Sequence, residues 1–110
     1  MVRRFGQVLG IRPECFDAYR RHHANVWPEI AHALRDAGVR NYSIFHQGGQ
    51  LFGYFEYVGP ESELEARMQR LAAAPRMREW WDLMEPMQIA RADRAPGEWW
   101  TTMSEVFHLD

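Results

Sequence analysis

Apolar and polar positions alternate from Phe5 to Ile11, with Phe5, Gln7, Leu9 and Ile11 on one side and Gly6, Val8 and Gly10 on the other. A period of two predicts a first β-strand with apolar residues on both faces. The period then changes. After Pro13, a residue suited to the first turn of a helix, Phe16, Tyr19, His23, Trp27, Ile30 and Leu34 recur at spacings of three and four, a single helical stripe. Pro28 lies inside that stripe, removes a backbone donor and clashes one turn back, so the helix should kink or restart near Val26 and Trp27. Gly38 is placed to stop it.

Alternation returns at Tyr42, Ile44 and His46, with Ser43 and Phe45 between them. After Gln47-Gly48-Gly49-Gln50 comes the run Leu51 to Val58, and the two runs together predict a hairpin. Ser62 followed by Glu65 reads as a capping box that would open a helix with Leu64, Met68 and Leu71 on one face. Pro75 opens another, with Met77, Trp80, Trp81 and Met84 as its stripe. Pro86 to Pro96 reads as a polar loop, and Ser104 to Leu109 as a last strand. Strand, helix, strand, strand, helix pair, strand is the split βαβ order of an α+β, ferredoxin-like fold with an antiparallel sheet. Helices would cover one sheet face only. On the third strand Leu51, Phe55 and Tyr57 alternate with Phe52 and Tyr54, so the uncovered face is apolar too, and a homodimer with sheet facing sheet is expected.

Composition narrows the picture. The 110 residues are 46% apolar and 25% charged, as expected of a single folded domain spanning 1–110. Thirteen Lys and Arg against fifteen Asp and Glu give a formal charge of −2, which supplies no basic excess for phosphate contacts; nucleic acid is not an expected partner. Cys15 is alone, so no intrachain disulfide and no multi-cysteine zinc site can form, and a reducing cytoplasm fits. No stretch approaches the roughly 20 apolar residues of a membrane span, and the start lacks the apolar core of a signal peptide. The expectation is a soluble, cytoplasmic protein. Five Trp, four Tyr and six Phe, with two Trp-Trp pairs, call for either a core or an apolar-walled pocket.

The most suggestive chemistry is Tyr19, His23 and Trp27. Residues four apart on a helix are neighbours, so the polar tips of these side chains would share one pocket, and a histidine can exchange protons near neutral pH. The plainer alternative is a core histidine bonded to a carbonyl beside two packing rings. His22 and His23 are adjacent and so face apart, and no histidine has a partner in a recognised zinc pattern, so no metal is expected. His32 reads as solvated, and His46 and His108 as strand residues. Trp80 and Trp81 cannot both point at the sheet; they either fill the core or wall a pocket for the C–H face of a sugar. Trp99 and Trp100 either pack the preceding loop down or form part of a lid. Cys15 reads as structural, and Glu29, Asp36, Glu61, Glu63, Glu65, Glu79 and Asp82 as solvated. A Gly-rich phosphate loop and a G-x-S-x-G elbow are both absent from the sequence.

Tyr19-Arg20-Arg21-His22-His23, Trp27-Pro28-Glu29, Asn41-Tyr42-Ser43-Ile44, Glu79-Trp80-Trp81 and Glu105-Val106-Phe107-His108-Leu109 succeed one another along nearly the whole chain, and together they resemble the L-rhamnose mutarotase family. The resemblance implies a dimeric ferredoxin-like α+β barrel with no metal or organic cofactor. It also implies that His23, not His22, is the proton-donating histidine of a Tyr-x-x-x-His pattern. By the same resemblance Tyr19 and Tyr42 are sugar-contacting tyrosines, and Trp80 and Trp81 the tryptophan pair at the substrate. Where many relatives carry an Asn-Pro-Asp-Asn type loop, this chain has Arg91-Ala92-Asp93-Arg94-Ala95-Pro96-Gly97, a departure that bears on sugar preference.

The implied reaction exchanges the α and β anomers of a pyranose such as L-rhamnose. Ring opening needs a proton on the ring oxygen and loss of the anomeric hydroxyl proton, and closure on the other face reverses both. His23 would supply the first proton; the opposing base is left open among Tyr19, Tyr42, water and a carboxylate. A cofactor-independent monooxygenase on the same fold and a non-catalytic sugar-binding module are the other classes that fit.

Overall fold

The computed structural model describes residues 2–110. Strand β1 (Val2–Ile11) leads through a 3-10 turn at Pro13–Cys15 into helix α1 (Phe16–Ala24) and helix α2 (Pro28–Asp36). The hairpin of β2 (Val39–Gln47) and β3 (Gln50–Val58) comes next, then helices α3 (Leu64–Ala73) and α4 (Pro75–Met84), and two short strands, β4 (Gln88–Ile89) and β5 (Thr101–Met103). The sheet order is β2-β3-β1-β4, with β5 also on β1 and all four pairings antiparallel. This is the ferredoxin-like α+β arrangement that the order of elements predicts.

Prolines set the helix boundaries. Pro28 and Pro75 sit at helix starts, and the residues before them, Trp27 (ψ 132°) and Ala74 (ψ 125°), are extended because a following proline excludes the helical region. The single apolar stripe from Phe16 to Leu34 therefore becomes two helices. At Gly38 (φ 93°) a Cβ would sit 2.6 Å from the Val58 carbonyl oxygen, so only glycine allows α2 to hand over to β2 there. The hairpin turns on Gly48 (φ 54°) and Gly49 (φ 78°), both in the left-handed region that a tight two-residue turn requires.

A bulge in β2 decides which way Tyr42 faces. Arg40 pairs with Glu56 and Ser43 with Tyr54, so Asn41 and Tyr42 share the single partner position of Phe55, with Asn41 at φ 52°. The extra residue shifts the strand's parity. Val39, three positions before Tyr42, and Ile44, two after it, thereby share its face of the sheet, the one against the helices.

Three sequence expectations are corrected. No side-chain cap is present at the start of α3; a 3-10 turn at Glu61–Glu63 opens directly after Pro60 and takes Ser62 into it. The segment predicted as a polar loop contains β4. The last strand is Thr101–Met103, paired with Val8 to Gly6, whereas Ser104–Asp110 forms no strand; past Gly6 that edge of β1 is met through side chains instead, Arg4 Nε donating to Glu105 Oε2 at 2.9 Å.

The core lies between the helices and the inner sheet face: Leu9, Ile11 and Leu51 from the sheet, Tyr19 and Ile30 from α1 and α2, and Met77, Trp80 and Met84 from α4. Helix α3 buries no residue completely. On the outer face Phe45 (61% exposed), Phe52 (38%) and Met103 (46%) have no helix over them. Among the described residues no helix is long and apolar enough to cross a membrane.

Candidate functional site

Helix α1 brings Tyr19 and His23 together by its own geometry, one turn apart, with ring centroids 4.3 Å from each other and tilted by 31°. His23 Nδ1 lies 2.8 Å from the Tyr19 carbonyl oxygen. A carbonyl oxygen can only accept, so in the neutral ring Nδ1 carries the hydrogen and Nε2 keeps the lone pair. Nε2 makes no hydrogen bond among the described residues, and His23 as a whole is only partly buried. Burial lowers the His23 pKa below its usual 6.5; the Tyr19 carbonyl opposes that shift, and His22 adds to it. The neutral imidazole therefore dominates at neutral pH.

Tyr19 is 3% exposed, and its hydroxyl accepts a hydrogen bond from Gln88 Nε2 at 3.0 Å. Burial pushes its phenol up to about 12, so the group stays protonated over the physiological range. Tyr42 reaches the same region from the bulge in β2. Its ring packs 5.4 Å from Phe55, and its hydroxyl turns inward to accept from Gln7 Nε2 at 3.4 Å, although 38% of the residue remains exposed. Burial of that hydroxyl and the nearby Tyr19 phenol raise its pKa as well. Two neutral phenols thus accompany the imidazole.

Trp80 stands edge-on to His23 at 5.5 Å and 71°, and to Trp27 at 5.0 Å and 75°. Trp27, set off by the break before Pro28, lies against Trp80, with the Arg76 guanidinium 3.9 Å above it. The sequence expectation that Trp27 joins Tyr19 and His23 in one pocket is thus modified: Trp80 packs against both His23 and Trp27. Trp81, 100° further around α4, is only partly buried and has Arg78 at 5.8 Å from its ring, as two consecutive helical residues must diverge.

Trp99 and Trp100 are packed down against the core. Trp99 donates from Nε1 to Gln88 Oε1 at 2.7 Å, and Trp100 lies over Gly53, where a Cβ would come within 3.3 Å of its ring and of Gln7. Gln7 and Gln88 are polar supports that sequence reasoning missed; Trp99, which it offered as loop packing or lid, packs down. Gln88 falls on a two-residue strand with no periodicity to betray it; its only trace is a lone amide between Met87 and Ile89.

His22 also stands edge-on to Trp80, at 6.5 Å, and the other three histidines stand apart. His46 stacks on Phe16 at 4.0 Å, His32 sits exposed 3.3 Å from Asp36, and His108 pairs with Asp110 at 2.7 Å. Among the described residues no three His, Cys, Asp or Glu side chains gather as metal ligands would. His23 lines neither of two surface hollows of about 400 and 300 Å³, one lined by Asp17, Arg20, Arg21 and Ala24 and the other by the Gly48-Gly49 turn with Ile89.

A sequence profile described as L-rhamnose mutarotase matches residues 4–109. The L-rhamnose mutarotase of Lactiplantibacillus plantarum is 38% identical over 109 residues, covering 97% of this chain and 98% of that one. That of Oceanobacillus iheyensis is 34% identical over 111 residues, covering 99% and 100%. The crystal structure of an L-rhamnose mutarotase from Formosa agariphila superposes with a TM-score of 0.76 at 26% identity, covering 98% of this chain and 99% of that one.

Proposed function

Since this chain belongs to the L-rhamnose mutarotase family, a family of isomerases, we propose that it exchanges the α and β anomers of L-rhamnose with His23 as its acid/base group. The observation that carries this reading is the tautomer of His23. With Nδ1–H committed to the Tyr19 carbonyl, all proton traffic must pass through Nε2, the ring nitrogen left without a hydrogen-bond partner. Neutral Nε2 takes the anomeric hydroxyl proton while a neutral phenol or a water gives a proton to the ring oxygen, which opens the ring. Closure on the other face reverses both transfers, the imidazolium returning its proton to the carbonyl oxygen.

Orientation comes from the surrounding rings. Tyr19 and Tyr42 offer hydroxyls to sugar oxygens, while the indoles of Trp80 and Trp81 offer flat apolar surface to sugar C–H groups. The sugar approaches Nε2 from the side on which His23 and Tyr42 keep exposed surface. Mutarotation also proceeds unaided in water, so one positioned imidazole, contributing roughly 10²- to 10⁴-fold, accounts for useful catalysis.

The same reading makes the protein a homodimer. Phe45, Phe52 and Met103 on the outer sheet face, and Val106 (96% exposed), Phe107 (78%) and Leu109 (79%) in the segment after β5, leave apolar side chains uncovered, and a second copy's equivalent face suits them.

Magnetisation transfer between the anomeric proton signals of L-rhamnose tests the activity. Exchange accelerated over the spontaneous rate supports the proposal. Sugar binding without acceleration would make the protein a binding module instead, and no effect with any deoxyhexose would remove the assignment.

A further inference from the structure

Among the described residues Gln88 is the one buried polar or charged side chain, phenols apart, at 6% exposed. Its amide is held at both ends. An indole N–H can only donate, so the atom facing Trp99 Nε1 at 2.7 Å must be the amide oxygen, and the amide NH₂ must then face Tyr19. That NH₂ in turn can only donate. The Tyr19 hydroxyl is thereby made an acceptor toward Gln88, and its own proton has to point elsewhere.

Resting on the reading that Tyr19 contacts the sugar, we propose that Trp99 and Gln88 are positioning residues that fix the direction of the Tyr19 hydroxyl, so that its proton is presented to an oxygen of the bound sugar. The chain of three donors runs one way, Trp99 to Gln88 to Tyr19, and ends on the ring that lies against His23. Its first member is anchored by the loop that departs from the family pattern: Glu98 N donates to the Ala95 carbonyl at 3.0 Å, and the Arg94 guanidinium lies 5.8 Å from the Trp99 ring. Burial holds the phenol in its neutral, donating form, with the Gln88 hydrogen bond acting in the opposite sense. The loop thus acts on the sugar through a hydrogen-bond direction, without touching it.

The test reverses that direction. In Gln88→Glu an ionised carboxylate accepts from both Trp99 and Tyr19, which turns the Tyr19 proton inward; protonation of the carboxyl restores a donor toward Tyr19. For L-rhamnose anomer exchange, kcat/KM relative to wild type should fall about tenfold at high pH, the effect of one misdirected hydrogen bond. The ratio should recover as pH is lowered from about 8 to about 5, across the titration of a buried carboxyl. Tyr19→Phe, measured alongside, separates failure of the sugar contact from failure of the relay. If Tyr19→Phe is as active as wild type, the sugar-contact reading fails and this proposal with it. If Tyr19→Phe is impaired while Gln88→Glu either matches wild type throughout or shows a deficit that pH does not change, the relay alone is overturned. Should the introduced charge prevent folding, Gln88→Met and Trp99→Phe carry the test through a double-mutant cycle. Each must lower kcat/KM by itself and add nothing in a Tyr19→Phe background; additive losses would refute the relay.

Discussion

The two faces of one sheet carry similar chemistry and have opposite fates. Inward, the Phe55 and Tyr42 rings pack together, the Tyr57 hydroxyl donates to the Pro60 carbonyl at 2.7 Å, and Gln7 donates to Tyr42. Outward, Phe45 and Phe52 approach each other only to 6.3 Å and keep much of their surface in water. Strand alternation alone produces both sets. What separates them is the helix layer: under it every aromatic acquires a polar partner or a packed neighbour, and a hydrogen-bonded site can be specified to a single proton position. Without it, Phe45 and Phe52 keep bare ring surface, although Tyr54 on the same face still donates its hydroxyl to Glu56 at 2.8 Å. The site's precision therefore derives from burial, and substitutions on the two faces should register in different measurements.

On the inner side the greatest loss is expected from His23→Ala, which should reduce enzyme-dependent anomer exchange by roughly 10²- to 10⁴-fold while leaving the melting curve close to wild type, since His23 is only half-buried. Trp80→Ala should act on stability as well as on the sugar contact. Removing a 6%-exposed indole that packs on both His23 and Trp27 should cost about 3–5 kcal/mol in denaturant unfolding, and activity should fall with it. Tyr57→Phe isolates a polar partner: losing the bond to Pro60 while keeping the ring should cost about 1 kcal/mol. Phe45→Ser on the outer face should change chain stability by no more than about 0.5 kcal/mol. Sedimentation should nevertheless show a shift toward smaller species, and an unchanged sedimentation coefficient would rule out the sheet-to-sheet association.

Much of this division can be read from the sequence. Alternation from Phe5 to Ile11 and from Leu51 to Val58 gives the two central strands, Pro28 and Pro75 give the helix starts, and the 100° between Trp80 and Trp81 foretells that one is buried and the other turns to an edge. Tyr19 and His23 meet because of a four-residue spacing. What escapes is whatever depends on tertiary pairing. The bulge at Asn41 and Tyr42 leaves no local mark, yet it decides which face Tyr42 joins. Gln88 is an unremarkable amide until Trp99 and Tyr19 are seen at its two ends. The stretch from Ser104 to Leu109 shows the limit of periodicity: the pattern records side chains that need covering, and Val106, Phe107 and Leu109 find no cover within their own chain.

Acid should weaken the fold in a window set by His23. Because its folded pKa is lowered, the unfolded chain binds a proton below pH 6.5 that the native ring refuses, so stability rises with pH through that window and declines on acidification below 6.5. In His23→Ala that component of the decline should be missing from melting temperatures measured across the same range.

That His23 Nε2 carries the reaction's protons can be tried by the pH dependence of kcat/KM for L-rhamnose anomer exchange, corrected at each pH for the spontaneous rate. In wild type it should be flat above 6.5 and fall on an acid limb whose midpoint lies below 6.5, as the resting base becomes protonated. His23→Ala should show neither the rate nor the limb. A variant lacking the imidazole that retained the wild-type rate and the same profile would exclude His23 from the chemistry.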